Sequence, residues 1–340
     1  MINILRKFLI NNRDAKIIQK KNKLNSFINS KNISYKIKNF GNKNSEKFFY
    51  VIQRSPGGGM FSNLNYVIHH LYLADKFNFI PVVDMENFPT LYNENKLIKG
   101  TLNSWEYYFE PVSKYTLKEV YKSKNVIIAD KNTNKIKFFD GLRYLTIDHK
   151  RIFFKYIKIK KYLINEKKIF LNKKLKNKKF LGVHFRGTDY KNRERHPLPA
   201  TKNQIVKNIN KLNKKYNFDY IFLVTEEKEY FNFLNNKFDN IVSYSKIFTN
   251  KNQVFFENKK KNFRYEIGKA NIIDMLLLTH SKHILGIESN LTDASIYFSK
   301  KNIPFTKIFN GYNSNNIFFA QFKWYIKKSL PFFLGGFKDD

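Results

Sequence analysis

The sequence predicts an α/β chain made of two Rossmann-like domains facing a cleft. From about residue 180 onward, short apolar runs alternate with helix-prone stretches at β-α spacing, the pattern of a parallel, doubly wound sheet. An earlier strand–helix–strand run begins near residue 47, with Gly57, Gly58 and Gly59 at its first turn. A lysine-rich, helix-prone stretch over 150–178 separates the two runs. At 340 residues the chain is long enough to bury two cores. The expected division is a basic segment over 1–45, an acceptor-side α/β domain over 46–172, a second Rossmann-like domain over 173–312 and a tail over 313–340.

Hydrophobic residues make up 42% of the chain and aromatic ones 17%, which excludes a disordered polyelectrolyte despite a net charge of +36. The absence of cysteine excludes a disulfide framework and thiolate metal sites, and fits a reducing compartment. The opening apolar run is too short and too charged for a signal peptide, and no apolar stretch approaches the length of a spanning helix. A cytoplasmic protein is therefore expected. The surplus lysines read first as a solvated surface and second as an attraction to anionic headgroups at the inner face of a membrane. Nucleic acid is not an expected partner, because no helix-turn-helix, zinc-finger or basic-aromatic RNA-binding pattern is present.

Ile2, Leu5, Phe8 and Leu9 fall on one side of a short basic helix, to lie on a membrane interface or pack on its own domain. The first clear strand covers 47–53, rich in aromatic and β-branched residues, and 54–59 breaks it. Leu64, Val67, Ile68, Leu71 and Ala74 then recur at helical spacing. Strands over 79–84, ending in Asp84, and over 126–129 complete the run. Gly58, Gly59 and Asn63 are candidate substrate contacts, since a glycine turn before a helix presents free N–H groups to an anion. The turn is neither G-x-G-x-x-G nor a P-loop, and a tight turn without a ligand is the alternative. His69 and His70, inside the helix, read as structural.

In the second half, strands are expected over 180–185, 220–225, 240–243, 283–287 and 305–309. Helices are expected over 202–214, 227–235, 272–281 and 291–299, with a basic loop through Lys261. The tail from Asn315 is aromatic and basic, and either packs back on a domain or touches a membrane.

In such a sheet, ligands sit beyond the carboxyl ends of the strands. Those ends supply His184, Arg186 and Asp189, then Thr225, Glu226 and Glu227, then Glu288, Ser289 and Asn290. Arg186 offers a planar fork of donors suited to phosphate oxygens, unless it simply pairs with Asp189 on the surface. Ser289 or Asn290 can cap the following helix, or its N-terminus can hold a pyrophosphate. Asp274 stands among Ile272, Ile273, Met275 and Leu276, where a carboxylate needs a partner. A guanine base would satisfy it bidentately, and so would a Lys or Arg. No metal site is expected: the nearest approach to an acidic pair is Asp84-x-Glu86.

Phe-Leu-Gly-Val-His-Phe-Arg-Gly-Thr-Asp over 180–189 resembles the His-x-Arg-x-x-Asp motif of GDP-fucose-dependent fucosyltransferases, especially their α1,6 branch. Three further segments agree in order: 104–113, 221–227, and 273–274 with 289–290. The resemblance spans roughly residues 47–300 and implies a GT-B-like fold, no metal requirement and inversion at the anomeric carbon. It implies that His184 and Asp274 face guanine, Arg186 holds the β-phosphate, and Ser289 and its neighbour contact the diphosphate. Glu194 matches the family's proposed base, a role open to a partly desolvated carboxylate. The alternative for Glu194 is membership of an exposed charge cluster with Arg193 and Arg195. The chain departs from the family where a second Arg is replaced by Gly187, a Lys by Tyr190, and an Asp pair by Glu226 and Glu227.

The expected function is transfer of a sugar, fucose foremost, from GDP-fucose to a hydroxyl of a bacterial surface glycan under assembly, lipid-linked or free. Another nucleotide sugar on the same scaffold is the alternative among enzymes. A non-catalytic basic module binding anionic polymers is the alternative outside them.

Overall fold

In a computed structural model, residues 37–129, 147–249, 255, 261–299 and 301–337 are described. The interfacial helix expected at the N-terminus and most of the basic loop before Lys261 lie outside them. The chain divides into compact units Met1–Ile159 and Lys160–Asp340. Residues 160–172, expected with the first domain, therefore go with the second unit.

The first unit holds a four-stranded sheet ordered β1-β4-β2-β3, from β1 (Ile37–Lys38), β2 (Lys43–Ile52), β3 (Ile80–Val83) and β4 (Ser123–Ile128). β2 pairs in parallel with β3 and β4, while β1 runs antiparallel to β4. The end of β2, from Phe48 to Ile52, is buried without alternation, as a strand covered on both faces must be. Helix α1 (Met60–Lys76) follows β2 and packs against a later helix, Ile147–Tyr156. Asp75 of α1 receives Lys155 at 2.5 Å and Arg151 at 3.2 Å from that helix. His69 Nδ1 lies 3.1 Å from His149 Nε2, and His70 Nδ1 lies 2.8 Å from the Tyr50 hydroxyl. Both histidines are buried parts of the framework. The segment at 104–113 is also core: Tyr107, Tyr108 and Phe109 are fully buried, and Trp105 stacks on Phe109. Two further helices of this unit are numbered in chain order, α2 (Leu117–Val120) and α3 (Ile147–Tyr156).

The second unit opens with α4 (Lys161–Phe170) and then builds a fully parallel five-stranded sheet. Its strands are β5 (Phe180–His184), β6 (Tyr220–Val224), β7 (Ile241–Val242), β8 (His283–Gly286) and β9 (Phe305–Lys307), in the order β7-β6-β5-β8-β9. The connecting helices are α5 (Lys202–Tyr216), α6 (Lys228–Asn235), α7 (Phe263–Leu278) and α8 (Asn290–Phe298). A last helix, α9 (Ile317–Ser329), closes the chain. Alternate residues of β5 serve opposite faces. Leu181, Val183 and Phe185 enter a core with Ile205, Ile209 and Leu223. On the other face, a Cβ at Gly182 would stand 2.6 Å from Leu278 of α7. α7 begins nine residues before the expected 272. Its first turns carry Arg264, Glu266 and Lys269, which in sequence continue the basic loop before them.

Among the described residues no helix is long and apolar enough to cross a membrane.

Gly286 pairs in register with His184, and a Cβ added there would stand 2.8 Å from the His184 carbonyl oxygen. That obstacle is backbone, which has little room to yield. Gly286→Ala should therefore cost about 1–3 kcal/mol, read from urea unfolding against the parent protein.

Candidate functional site

From β5 the chain steps outward through β6 to β7, then returns to place β8 on the other flank of β5. The connections after β5 and β8 thus leave in opposite directions, and a crevice opens at the carboxyl ends of these two strands. His184, Arg186, Asp189, Ser289 and Asn290 all belong to the segments that leave this edge.

His184 ties the crevice together. Its Nδ1 lies 2.9 Å from Thr292 Oγ1 and 3.2 Å from Ser289 Oγ. Ser289 Oγ accepts the Thr292 N–H at 3.2 Å, so Ser289 is the N-cap of α8 and Asn290 its first residue. Burial, with the Arg186 charge adding to it, pulls the His184 imidazole down to about 3. The ring is therefore neutral, and one hydrogen position on Nδ1 serves both hydroxyls.

Arg186 donates to Asp189 Oδ1 at 3.0 Å, and its guanidinium lies 4.3 Å from the centre of the Tyr190 ring. The expected pair with Asp189 forms, but with side chains only 26% and 14% exposed it belongs to the crevice, not to an open surface. Burial works to raise the Asp189 carboxyl, yet the Arg186 charge holds it below the usual range. Arg186 Nε is buried and has no hydrogen-bond partner among the described residues.

Thr225 Oγ1 accepts the Glu227 N–H at 3.2 Å, turning the chain out of β6. Glu226 is half-buried; desolvation raises its carboxyl against the opposing charge of Arg186. Glu227 faces inward, accepting the Thr188 N–H and Lys191 Nζ, the latter at 2.7 Å. Lys191 also lines a cavity of about 400 Å³ with Lys202, Tyr230, Trp324 and Lys328.

Asp274 lies one turn before Leu278 on α7, the helix that covers the Gly182 and His184 face of the sheet. It is 4% exposed, and its Oδ1 has no hydrogen-bond partner among the described residues. Burial pushes its carboxyl well above the usual range; the Ser245 N–H opposes this and the Glu226 charge adds to it. Among the described residues no Lys or Arg makes an ion pair with Asp274, so the salt bridge weighed as its partner is not formed there. The side chain of Glu194 is half-buried and makes no hydrogen bond or ion pair with the described residues, and Arg193 turns to Asp189 instead.

Gly58, Gly59 and Asn63 belong to the first unit. Asn63 Oδ1 accepts the Gly58 N–H at 2.9 Å, and Gly59 is the N-cap of α1. Gly57 has φ +74°, and a Cβ there would stand 2.7 Å from Asn63 Oδ1. The Met60 N–H goes to the Tyr92 hydroxyl at 2.7 Å. This turn is closed largely by its own side chains. Asp84, at the end of β3, accepts the N–H groups of Glu86 and Asn87 and the Tyr121 hydroxyl at 2.6 Å, which makes Asp84-x-Glu86 a turn. Among the described residues no group of three His, Asp or Glu side chains is placed to hold a metal ion.

The sequence reading did not single out Thr292, Lys191 or Ser245. Thr292 carried a signal, a hydroxyl three residues after an N-cap candidate. Lys191 and Ser245 carried none, because their partners are distant in the chain.

No family model matches the sequence, and no curated protein does. Among solved structures, the chain is similar to NodZ α-1,6-fucosyltransferase co-crystallized with GDP, with a TM-score of 0.51 and 14% identity over 78% of this chain and 96% of that one. Fucosyltransferase NodZ from Bradyrhizobium has a TM-score of 0.48 at 13% identity, over 77% and 96%. POFUT1 in complex with GDP has 0.47 at 10%, over 78% and 99%. The first likeness is one of fold: a mixed α/β chain with parallel sheets of the GT-B type.

A Cβ at Gly187 would fall 1.9 Å from Glu227 Oε1 and 2.8 Å from the Tyr230 ring. Gly187→Ala should therefore displace Glu227 from Thr188 and Lys191. In a double-mutant cycle with Glu227→Ala, the two substitutions should couple by about 0.5–3 kcal/mol, the second removing part of the cost of the first. Additive costs would show that Glu227 does not fill this space.

Proposed function

We propose that the chain is an inverting, metal-independent glycosyltransferase that moves fucose from GDP-fucose to a hydroxyl of a glycan under assembly. The observation that carries this reading is that two polar atoms of the second unit, Asp274 Oδ1 and Arg186 Nε, are buried without a hydrogen-bond partner among the described residues. A carboxylate and a guanidinium with donor and acceptor capacity unspent match the two ends of a guanosine diphosphate. Guanine offers adjacent N–H groups to a carboxylate, and the diphosphate offers oxygens to a guanidinium and a helix N-terminus. The GDP-bound NodZ of similar fold supports the choice of nucleotide.

On this reading Asp274 takes the guanine edge, while His184 acts indirectly by fixing Ser289 and the start of α8. Arg186, already oriented by Asp189 and Tyr190, faces the β-phosphate together with the first turn of α8. As the C1–O bond to the diphosphate breaks through an oxocarbenium-like state, its electron pair passes to the phosphate oxygen, where this positive field stabilises it. Glu194, whose carboxylate is committed to no other described residue, takes the acceptor's hydroxyl proton as that oxygen bonds to C1. Thr225 and Glu226 line the neighbouring strand end, next to Arg186. The acceptor is a surface glycan, lipid-linked or free.

Two measurements test this. Arg186→Ala should lower fucosyl transfer by about 10²–10³ without unfolding the protein, the loss expected for one preorganised donor. Near-full activity in that variant would remove Arg186 from the mechanism.

The second uses pH. Asp274 holds its proton above the usual carboxylate range in the free protein, whereas guanine N–H donors favour the ionised form. The complex thus binds fewer protons than the free protein, so GDP affinity should rise with pH, by up to about tenfold per unit until the raised pKa is passed. Calorimetric titration with GDP, UDP, CDP and ADP, with and without EDTA, should show GDP selectivity. Asp274→Asn should weaken GDP binding and flatten this pH dependence. A parent curve no steeper than that of Asp274→Asn would assign guanine recognition elsewhere.

A further inference from the structure

α9 and the turn after it are two-sided in an unusual way. Ala320 and Trp324 face inward, Trp324 donating its indole N–H to the Pro199 carbonyl at 3.1 Å and packing with Leu198 and Phe337. The outward side is also apolar: Phe318 is 67% exposed, Phe319 63% and Ile326 56%. Phe332 and Phe333, on the turn that follows, are each 79% exposed. A helix that packs one apolar stripe on its own domain has no need of a second. Lys323, Lys327 and Lys328 border this face, Lys327 Nζ over the Phe337 ring and Lys328 Nζ over that of Trp324, and no acidic residue occurs from Asn313 to Phe337.

We propose that this face docks on an anionic lipid surface, with the phenylalanines entering the headgroup boundary and the lysines beside them meeting lipid phosphates. Charge decides the occupant. A second copy of the chain would set these lysines against their own counterparts, at a repulsive cost, while an anionic bilayer pairs with each of them. The composition, large apolar side chains with lysines and no acids, is that of an element lying in a membrane interface. Long lysine stems let the ammonium groups stay with the headgroups while Phe332 and Phe333 go deeper. The inference is independent of the nucleotide assignment, since none of these residues belongs to the crevice at β5 and β8.

The test is flotation of the full chain with vesicles of phosphatidylcholine alone and of phosphatidylcholine with phosphatidylglycerol in equal parts. Binding should require phosphatidylglycerol and weaken with added salt. Phe332→Ser with Phe333→Ser should lower vesicle affinity about tenfold or more, and Lys327→Gln with Lys328→Gln about tenfold. Unfolding midpoints equal to the parent's would show that both variants remain folded. Equal binding to both vesicle types, full binding by the serine variant, or no binding by the parent protein would each overturn the proposal. So would a dimer in solution that the serine variant dissolves, because the face would then belong to a second copy.

Discussion

A neutral imidazole holds the carboxyl edge of the second sheet in register with the helix that leaves it. His184 stands at the end of the central strand, and its Nδ1 meets hydroxyls from the cap and first turn of α8. The arrangement depends on the ring staying uncharged. A protonated ring would add a second positive charge beside Arg186. Burial prevents this throughout the ordinary pH range. Two glycines make the approach possible: Gly182 admits Leu278 of α7, and Gly286 clears the His184 backbone. The strand, both helices and the crevice between their ends rest on this contact.

Around it the charged groups fall into two kinds. Asp189 with Arg186 Nη2, and Glu227 with Lys191, are spent on one another, so their burial is compensated. Asp274 Oδ1 is not, and leaving such an atom unmet costs about 1–3 kcal/mol relative to a satisfied one. An apolar residue of similar volume at 274 would avoid that cost. On the proposed reading, the guanine edge is what completes the carboxylate.

Much of this was legible in the sequence. The uninterrupted apolar run ending in His-Phe-Arg identifies a central parallel strand, because only a strand buried on both faces can dispense with polar alternation. Asp274 stands out for the same reason, as an acid among apolar neighbours. What sequence alone could not supply were features without local signature. β1 is too short to show a pattern, the charged first turns of α7 read as a continuation of the basic loop, and the Lys191–Glu227 pair joins residues 36 positions apart. The glycine turn at 57–59 was visible, but that Asn63 would close it was not. Asn63 is a candidate substrate contact by its place beside these glycines; its side-chain carbonyl instead accepts the Gly58 N–H, a local closure that spacing does not reveal.

Glu227 also says something about how such a site can change over generations. Its carboxylate occupies the space that any side chain at 187 would need, so the two positions cannot drift separately. A bulkier residue at 187 needs either a shorter side chain at 227 or a turn of the Glu227 carboxyl away from Thr188 and Lys191, and the Tyr230 ring must give as well. A change at 187 is therefore felt at 227 and 230 at once.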